Sequence, residues 1–308
     1  MNTSLQIRVG LLGCGRWGKL ILRDLVSLGC KVDVVAPGPE SIRNSIAYGA
    51  NRIVATIADL DKALDGYVVA VPTAHHARVV EDLLDRQRPI FVEKPLTNDP
   101  VAAAHLAQTA GKHLFVMDKW RYHPGINMIY DLVRSKELGE LQSLQLRRLQ
   151  WGESHRDVDP VWTLLPHDLS IVLHLLGHIP APCFAVGLHR EGWMSGITAH
   201  LAGSVQISIE VSVRSMRRER MLSAIFSEGA AMMSDPMADH ILIQRGTGEE
   251  TKTLPIEQRQ IDTTLPLFLE LQTFVEHLRG GPAPMSSAVD GALIVERVAQ
   301  CRELVGVK

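Results

Sequence analysis

The sequence predicts a two-domain α/β chain, in which a doubly wound parallel sheet is followed by an α+β domain with an open, mostly antiparallel sheet. In residues 1–119, short continuous apolar runs alternate with helical patterns, as in parallel strands that helices cover on both faces. A glycine cluster follows the first apolar run. Beyond Lys119, segments of alternating apolar and polar residues appear, which is typical of antiparallel strands.

The first domain is predicted to span residues 1–119. Its strands are predicted at 7–12, 32–36, 52–56, 67–71, 90–92 and 113–117. Helices are predicted between them at 17–28, 41–48, 75–86 and 100–110. Asp99 and Pro100 suit a helix start, because an Asp cap and a proline at the first position both fit a helix N-terminus. Right-handed crossovers between such strands produce a doubly wound sheet.

The second domain is predicted to span residues 120–308. Helices are predicted at 124–135, 160–176, 266–278 and 288–305, and strands at 141–150, 197–201, 205–213 and 221–226. The pair Arg147 and Arg148 binds a substrate diphosphate or, alternatively, consists of one exposed and one paired arginine. An arginine run is predicted to form a solvated or subunit-facing edge. Its members are Arg214, Arg217, Arg218 and Arg220.

Composition excludes several functional classes. The chain has 308 residues and a formal net charge of −2, so it lacks the bulk basicity of nucleic-acid binders. The four cysteines are scattered without metal-ligand spacing, so neither a disulfide framework nor a metal site is expected. No apolar run approaches the roughly 20 residues of a membrane span, and no signal peptide is evident. We expect a cytoplasmic protein without membrane or nucleic-acid partners.

Residues 13–18 read Gly-Cys-Gly-Arg-Trp-Gly, a GxGxxG pattern between a predicted strand and a predicted helix. In that context, Gly13 permits a tight turn, Gly15 lets the backbone approach a pyrophosphate, and Gly18 permits close helix packing. Arg16 and Trp17 would line the same site. The pattern therefore predicts a Rossmann domain that binds a dinucleotide. The alternative is a glycine-rich turn in a nucleotide-free fold.

The end of the second predicted strand bears on the choice between NAD and NADP. An acid that binds the ribose hydroxyls normally stands there, but residues 36–41 read Ala-Pro-Gly-Pro-Glu-Ser. The absence of this acid leaves room for a 2′-phosphate, which Ser41 and Arg43 could contact. Alternatively, the displaced Glu40 serves NAD and Arg43 is solvated. The balance leans slightly to NADP.

Four further segments follow the glycine motif in order. They are Ala-Val-Pro-Thr-Ala-His-His at 70–76, Val-Glu-Lys-Pro-Leu at 92–96, Lys-Trp-Arg-Tyr-His-Pro at 119–124 and Pro-His-Asp-Leu at 166–169. Together they resemble the Gfo/Idh/MocA oxidoreductases over nearly the whole chain. The resemblance implies an N-terminal Rossmann domain and a C-terminal domain for substrate binding and oligomerisation, with the active site between them.

The resemblance also assigns catalytic residues. It implies that Lys94 lies near the nicotinamide and the substrate hydroxyl, and that His167 is the family's histidine on a helix of the second domain. The family's aspartate four residues earlier is Thr163 here, so that aspartate's role does not carry over. Asp168 and Asp159 are possible substitutes. The alternatives are a surface Lys94 and a His167 that a neighbour satisfies.

Other positions are expected around the cofactor and the substrate. The expected cofactor contacts outside the glycine loop are Ser41, Arg43, Pro72, His76, Glu93, Lys94 and Arg121. The expected substrate contacts are Tyr122, Thr163 and His167. His75 and His76 could instead contact only backbone, Tyr122 could be a core aromatic, and Trp17 could pack between domains.

These residues predict an NAD(P)-dependent dehydrogenase or reductase that acts on a sugar, a polyol or a nucleotide sugar. Neutral histidine, with a pKa of about 6.5, can accept a hydroxyl proton near neutral pH, and a lysine ammonium can stabilise the alkoxide. The alternative is a catalytically silent, cofactor-binding sensor of the same fold, which Thr163 keeps open. A homodimer or homotetramer is expected through the open sheet.

Overall fold

The computed structural model describes residues 6–152, 157–190, 193–248 and 254–307. Contacts divide the chain into two units. The first unit comprises Met1–Lys119 and Leu267–Val295, and the second comprises Trp120–Pro266 and Glu296–Lys308. The first change of unit falls after Lys119. Residues 267–295 differ from the predicted division, because they pack with the first unit.

The first unit contains a six-stranded parallel sheet with strand order β3-β2-β1-β4-β5-β6. The strands are β1 (Arg8–Leu12), β2 (Lys31–Val35), β3 (Arg52–Val54), β4 (Gly66–Val69), β5 (Ile90–Glu93) and β6 (Leu114–Met117). The strand order reverses between β1 and β4, so the carboxyl ends of these two strands form the crevice in which such sheets bind ligands. The predicted doubly wound Rossmann sheet is confirmed.

Helices connect these strands close to the predicted bounds. They are α1 (Gly18–Ser27), α2 (Pro39–Ala47), α3 (His76–Leu84) and α4 (Pro100–Thr109). The Asp99 side chain accepts hydrogen bonds from the backbone N–H groups of Val101 and Ala102, so it caps α4 as predicted. Such a cap satisfies N–H groups that have no partner within the helix.

Helix α7 (Pro266–Leu278) explains why residues 267–295 belong to the first unit. Its Phe274 is fully buried and stacks on Phe91 of β5, with ring centroids 4.9 Å apart. Leu267, Leu271 and Val275 join the same apolar core. Ser287, just before α8 (Ala288–Glu303), forms a β-bridge with Phe115 of β6. The apolar face of α7 therefore covers the parallel sheet.

The second unit contains an eight-stranded sheet with order β14-β13-β12-β11-β7-β10-β9-β8. The strands are β7 (Leu141–Trp151), β8 (Pro182–Arg190), β9 (Trp193–Leu201), β10 (Gln206–Ser212), β11 (Arg214–Phe226), β12 (Gly229–Met233), β13 (His240–Arg245) and β14 (Glu257–Gln260). All neighbours are antiparallel except β7 and β10. The predicted open, mostly antiparallel sheet is confirmed, although the arginine run lies within β11 rather than before it.

Two helices accompany this sheet, α5 (Pro124–Ser135) and α6 (Pro160–Leu176). Helix α6 packs against β7, β9 and β10. The buried face of β7 carries Leu144 and Leu146, while Gln145 and Arg147 point to the opposite, open face. Within the described ranges, no helix combines the length and apolarity needed to cross a membrane.

Candidate functional site

The glycine loop joins β1 to α1, and two of its glycines cannot be replaced without a collision. Gly13 has a φ of +92°, and a Cβ there would lie 2.7 Å from the carbonyl oxygen of Ala70. A Cβ on Gly18 would overlap the carbonyl oxygen of Gly13. Gly15 differs, because a Cβ there would meet no atom within 4 Å. The space beside Gly15 is therefore open, as backbone approach to a pyrophosphate requires.

The N-terminus of α1 offers positive potential beside that space. No side chain caps the helix at Trp17, and its first turn contains no acidic residue. Unsatisfied N–H groups at a helix N-terminus favour anions. The Lys119 ammonium lies 4.4 Å from the centre of the Trp17 ring and adds a positive charge near the loop. These residues fit the phosphates of a dinucleotide. Arg16 is exposed at the same loop.

Helix α2 supports the loop through side chains. The Ser41 hydroxyl accepts a hydrogen bond from the backbone N–H of Cys14 (3.0 Å), and the Asn44 amide donates to the carbonyl oxygen of Cys14 (2.8 Å). Ser41 thus holds the loop, a role that sequence reasoning missed. Arg43 is exposed and forms no ion pair with a described residue. Residues 36–38, at the end of β2, include no acid, and Glu40 is exposed in the first turn of α2.

His76 connects two of the predicted site segments. It is buried, and its ring nitrogens lie 2.9 Å from the carbonyl oxygen of Val71 and 2.8 Å from that of Pro95. Of the two expectations for His76, the structure thus shows the backbone contact. Through it, the segment that contains Pro72 is tied to Glu93-Lys94-Pro95. Lys94 follows directly on β5, at the carboxyl edge of the sheet.

Two carboxyl groups, those of the partly buried Glu93 and the buried Glu270, lie near this edge. Burial raises the pKa of Glu93, and the nearby charges of Lys94 and Lys119 offset only part of that shift. Burial, followed by the charges of Glu93 and Asp118, raises the pKa of Glu270 on α7 well above its ordinary value, which favours the protonated form. The edge therefore combines two ammonium groups with carboxyl groups in a region of low dielectric constant.

In the second unit, neither proposed substitute for the missing aspartate is available. Asp159 accepts a hydrogen bond from the backbone N–H of Val161 and forms a buried ion pair with Arg302. Asp168 is buried and bound by Arg148 through two nitrogens, at 2.7 and 3.1 Å. The expectation that either aspartate could act as the acid is corrected, because both are committed to arginines. The hydroxyl of buried Thr163 donates to the carbonyl oxygen of Pro160 (3.1 Å).

His167, one turn after Thr163 on α6, lies against Trp120. Their ring centroids are 6.2 Å apart, with the planes at 77°. The Arg148 guanidinium lies 4.6 Å from the centre of the Trp120 ring, and His123 stacks on that ring at 5.4 Å. Sequence reasoning missed Trp120 and the pairing of Arg148. Arg148 continues the buried alternation of Leu144 and Leu146 along β7, a pattern that could have revealed its burial.

Arg147 and Arg148 point to opposite faces of β7. Arg147 is half-exposed and pairs with Glu210 and Glu219. Arg148 pairs with Asp168, so each of the two guanidinium groups has a carboxylate partner. The alternative of one exposed and one paired arginine therefore holds only in part, because the half-exposed Arg147 is paired as well as the buried Arg148.

Arg121 and Tyr122 lie in the 3₁₀ turn Lys119–Tyr122, and Tyr122 is buried. Burial, followed by the charge of Arg121, lowers the pKa of His174 on α6 to about 4. The His174 Nε2 atom lies 2.8 Å from the side-chain oxygen of Asn127. Arg121 thus faces α6. Among the described residues, no group of three or more His, Cys, Asp or Glu side chains could hold a metal ion.

Comparisons with known proteins agree with this geometry. A family model described as "Oxidoreductase family, NAD-binding Rossmann fold" matches residues 7–117. An inositol 2-dehydrogenase of Leifsonia xyli is 30% identical over 260 residues, which cover 77% of this chain and 75% of that protein. The rhizopine catabolism protein MocA of Rhizobium meliloti is 28% identical, but the match covers only 48% of either chain.

Solved structures share the fold over almost the full length. The UDP-N-acetylglucosamine 3-dehydrogenase of Acidithiobacillus ferrooxidans superposes with a TM-score of 0.83 at 20% identity, with 98% of each chain covered. A levoglucosan dehydrogenase in complex with NADH and levoglucosan superposes with a TM-score of 0.87 at 13% identity, covering 98% of this chain and 97% of that one.

Gly15→Val tests whether the open space beside the loop receives a dinucleotide. A Cβ at Gly15 meets no atom within 4 Å, so the melting temperature should change little, while affinity for NADH or NADPH should fall by more than about 100-fold because the pyrophosphate is excluded. Titration calorimetry and thermal melts measure the two effects. Gly18→Ala is the control, since its collision with Gly13 should lower the melting temperature. Unchanged affinity in G15V would contradict the assignment.

Proposed function

The chain belongs to the Gfo/Idh/MocA oxidoreductase family, and from that premise we propose that it transfers hydride between a nicotinamide cofactor and a secondary alcohol or ketone of a sugar-like substrate. One observation carries the proposal. The glycine loop follows β1 and Lys94 follows β5, so both lie at the carboxyl edge of the same parallel sheet. Ligands of such sheets bind at that edge.

The residues of the chain have separate tasks in this reaction. The bound nicotinamide accepts or supplies the hydride. Backbone N–H groups of the glycine loop and the N-terminus of α1 hold the phosphates. The Lys94 ammonium donates a hydrogen bond to the substrate oxygen and stabilises its negative charge. His167 takes the hydroxyl proton during oxidation and returns it during reduction.

His167 performs the proton transfer without help from an aspartate of α6. Asp159 and Asp168 are paired with arginines, and the Thr163 hydroxyl is neither an acid nor a base at neutral pH. The same observation supports the second candidate function, a cofactor-binding sensor without turnover. Turnover therefore separates the two functions.

The proposed substrate class is polyhydroxylated. Relatives include inositol 2-dehydrogenases and a UDP-N-acetylglucosamine 3-dehydrogenase. The compounds in these names each contain a ring that carries several hydroxyl groups. We carry over that shared chemistry rather than any one substrate.

Lys94→Ala is expected to lower turnover by about 10²- to 10³-fold, because the developing alkoxide loses its charged donor. The assay follows reduced cofactor with NAD or NADP and a panel of myo-inositol, levoglucosan and UDP-N-acetylglucosamine. Dinucleotide affinity should change only a few-fold. The exposed Lys31 on β2 provides the matched control, Lys31→Ala. Tight dinucleotide binding by the wild type with no turnover on any compound would favour the sensor.

The proposed cofactor preference is for NADP, by a narrow margin. Arg43 is exposed on α2, and no acid at the end of β2 would repel a 2′-phosphate. Arg43→Ala should weaken NADPH binding about tenfold more than NADH binding, since only NADPH loses a charge-assisted contact. Fluorescence titration measures both affinities. Arg78→Ala, which removes an exposed arginine of α3, is the control. Equal losses for both cofactors would remove Arg43 from the site.

The open face of the eight-stranded sheet is proposed to bind a second copy of the chain. The edge strand β8 presents Phe184, Val186 and Leu188 at 55%, 55% and 48% exposure on this face. Further along, Glu210 is half-exposed beside Arg147. Apolar groups and charges of both signs allow the face to be self-complementary in a two-fold dimer or a tetramer.

Val186→Lys is expected to shift the chain toward monomers in sedimentation equilibrium, because a charge would be buried in the contact. Val101→Lys is the matched control, since Val101 is 79% exposed on α4. A wild-type monomer at micromolar concentration, or equal assembly of both variants, would contradict the proposal.

A further inference from the structure

We propose that Trp120 contacts the substrate and that its indole N–H donates a hydrogen bond to a substrate oxygen beside His167. The inference rests on the proposed function, which supplies the reaction. The choice of Trp120 rests on the geometry of the second unit. It adds a specificity-determining donor that neither the sequence motifs nor the names of the relatives indicate.

The first observation is an unsatisfied donor. Trp120 is only 7% exposed, and its Nε1 atom is buried without a hydrogen-bond partner in the described ranges. A buried polar group without a partner destabilises the fold because it has lost its hydrogen bonds to water, so such groups are rare and call for an explanation. A ligand oxygen that completes the site would offset this cost.

The second observation is the place of this donor. Trp120 packs against His167 with ring centroids 6.2 Å apart, and His167 is the proposed proton acceptor. The Trp120 ring therefore lies beside the proposed proton acceptor. Indole N–H groups donate and do not accept, so the partner has to be an oxygen with a free lone pair.

The third observation is that the Trp120 ring is held in place. Arg148 lies 4.6 Å from its centre, and Asp168 fixes that guanidinium through two hydrogen-bonded nitrogens in a buried pair. A cation over the ring also draws electron density toward itself, which strengthens the N–H as a donor. Arg148 and Asp168 are therefore positioning residues.

His123 fixes the same ring by stacking. The ring planes of Trp120 and His123 are inclined by 16°, and their centroids are 5.4 Å apart. His123 Nδ1 accepts from the backbone N–H of Gly125 (3.0 Å), so its Nε2–H donates to the carbonyl oxygen of Pro236 (2.9 Å). The indole is thus oriented before substrate arrives, and little entropy is lost when its hydrogen bond forms.

The chemistry selects a class of substrate. His167 and Lys94 are proposed to serve the reacting oxygen, so Trp120 is assigned to a different oxygen nearby. The preferred substrate then carries a second hydroxyl or ether oxygen next to the reacting carbon. A deoxy analogue leaves the buried donor without a partner, and sites of this kind reject such analogues strongly.

The experiment follows the indole directly. Protein labelled with ¹⁵N-tryptophan contains five indole N–H signals, and the Trp120 signal is the one that disappears in Trp120→Phe. Saturating NADH and NADPH are added, followed by myo-inositol, levoglucosan or UDP-N-acetylglucosamine at millimolar concentration. At least one compound should move the Trp120 signal downfield and slow its hydrogen exchange. The signal of Trp151, which is 62% exposed, should stay in place.

Kinetics give the second measurement. Trp120→Phe keeps an aromatic ring but removes the donor, so kcat/KM for a compound that turns over should fall about 10- to 100-fold. For its deoxy analogue, the wild type and the variant should have equal, low kcat/KM values. If the variant does not fold, the wild-type signal can be assigned by substituting the other tryptophans in turn.

The outcomes separate this inference from the proposed function. A compound that turns over without moving the Trp120 signal overturns the inference and leaves the dehydrogenase intact. A compound that moves the signal without turnover supports the contact and counts against catalysis. No shift with any of the three compounds overturns the inference. Equal losses of activity in Trp120→Phe for the substrate and its deoxy analogue reduce Trp120 to a structural role, which also overturns it.

Discussion

The contact between Gly13 and Gly18 is the constraint on which the dinucleotide site depends. The carbonyl oxygen of Gly13 occupies the place that a side chain on Gly18 would need. This approach puts the N-terminus of α1 directly after β1, at the point where the strand order of the sheet reverses. The open space beside Gly15 follows from that arrangement. The N-terminus of α1 and the backbone at Gly15 then face the expected position of a pyrophosphate.

Each unit places opposite charges beside its functional side chains. In the first unit, Lys94 and Lys119 lie near the partly buried Glu93. In the second, Asp168 binds Arg148, whose guanidinium holds Trp120. Removing one partner of such a buried pair leaves an uncompensated charge, which is more costly than the pair itself. These pairs therefore restrict the orientation of the neighbouring side chains.

Much of this was predictable because the local physics was unambiguous. Continuous apolar runs separated by helical patterns specify a parallel sheet, and the glycine spacing specifies its first turn. The placement of α7 was not predictable, since its pattern shows that one face is buried but not which sheet it covers. Asp168 was a possible substitute for the family's aspartate, and the sequence does not show that Arg148 of β7 binds it. Arg148 lies two residues after Leu146, so the alternation along β7 indicates that both side chains share the buried face. No sequence pattern indicates that the indole N–H of Trp120 lacks a partner among the described residues.

The most direct measurement is a crystal structure of the chain with NADP bound. We expect pyrophosphate oxygens within hydrogen-bond distance of backbone N–H groups between Gly13 and Gly18, and a nicotinamide ring beside the Lys94 ammonium. A dinucleotide bound elsewhere, or a Lys94 side chain directed into bulk solvent with the cofactor in place, would contradict this expectation.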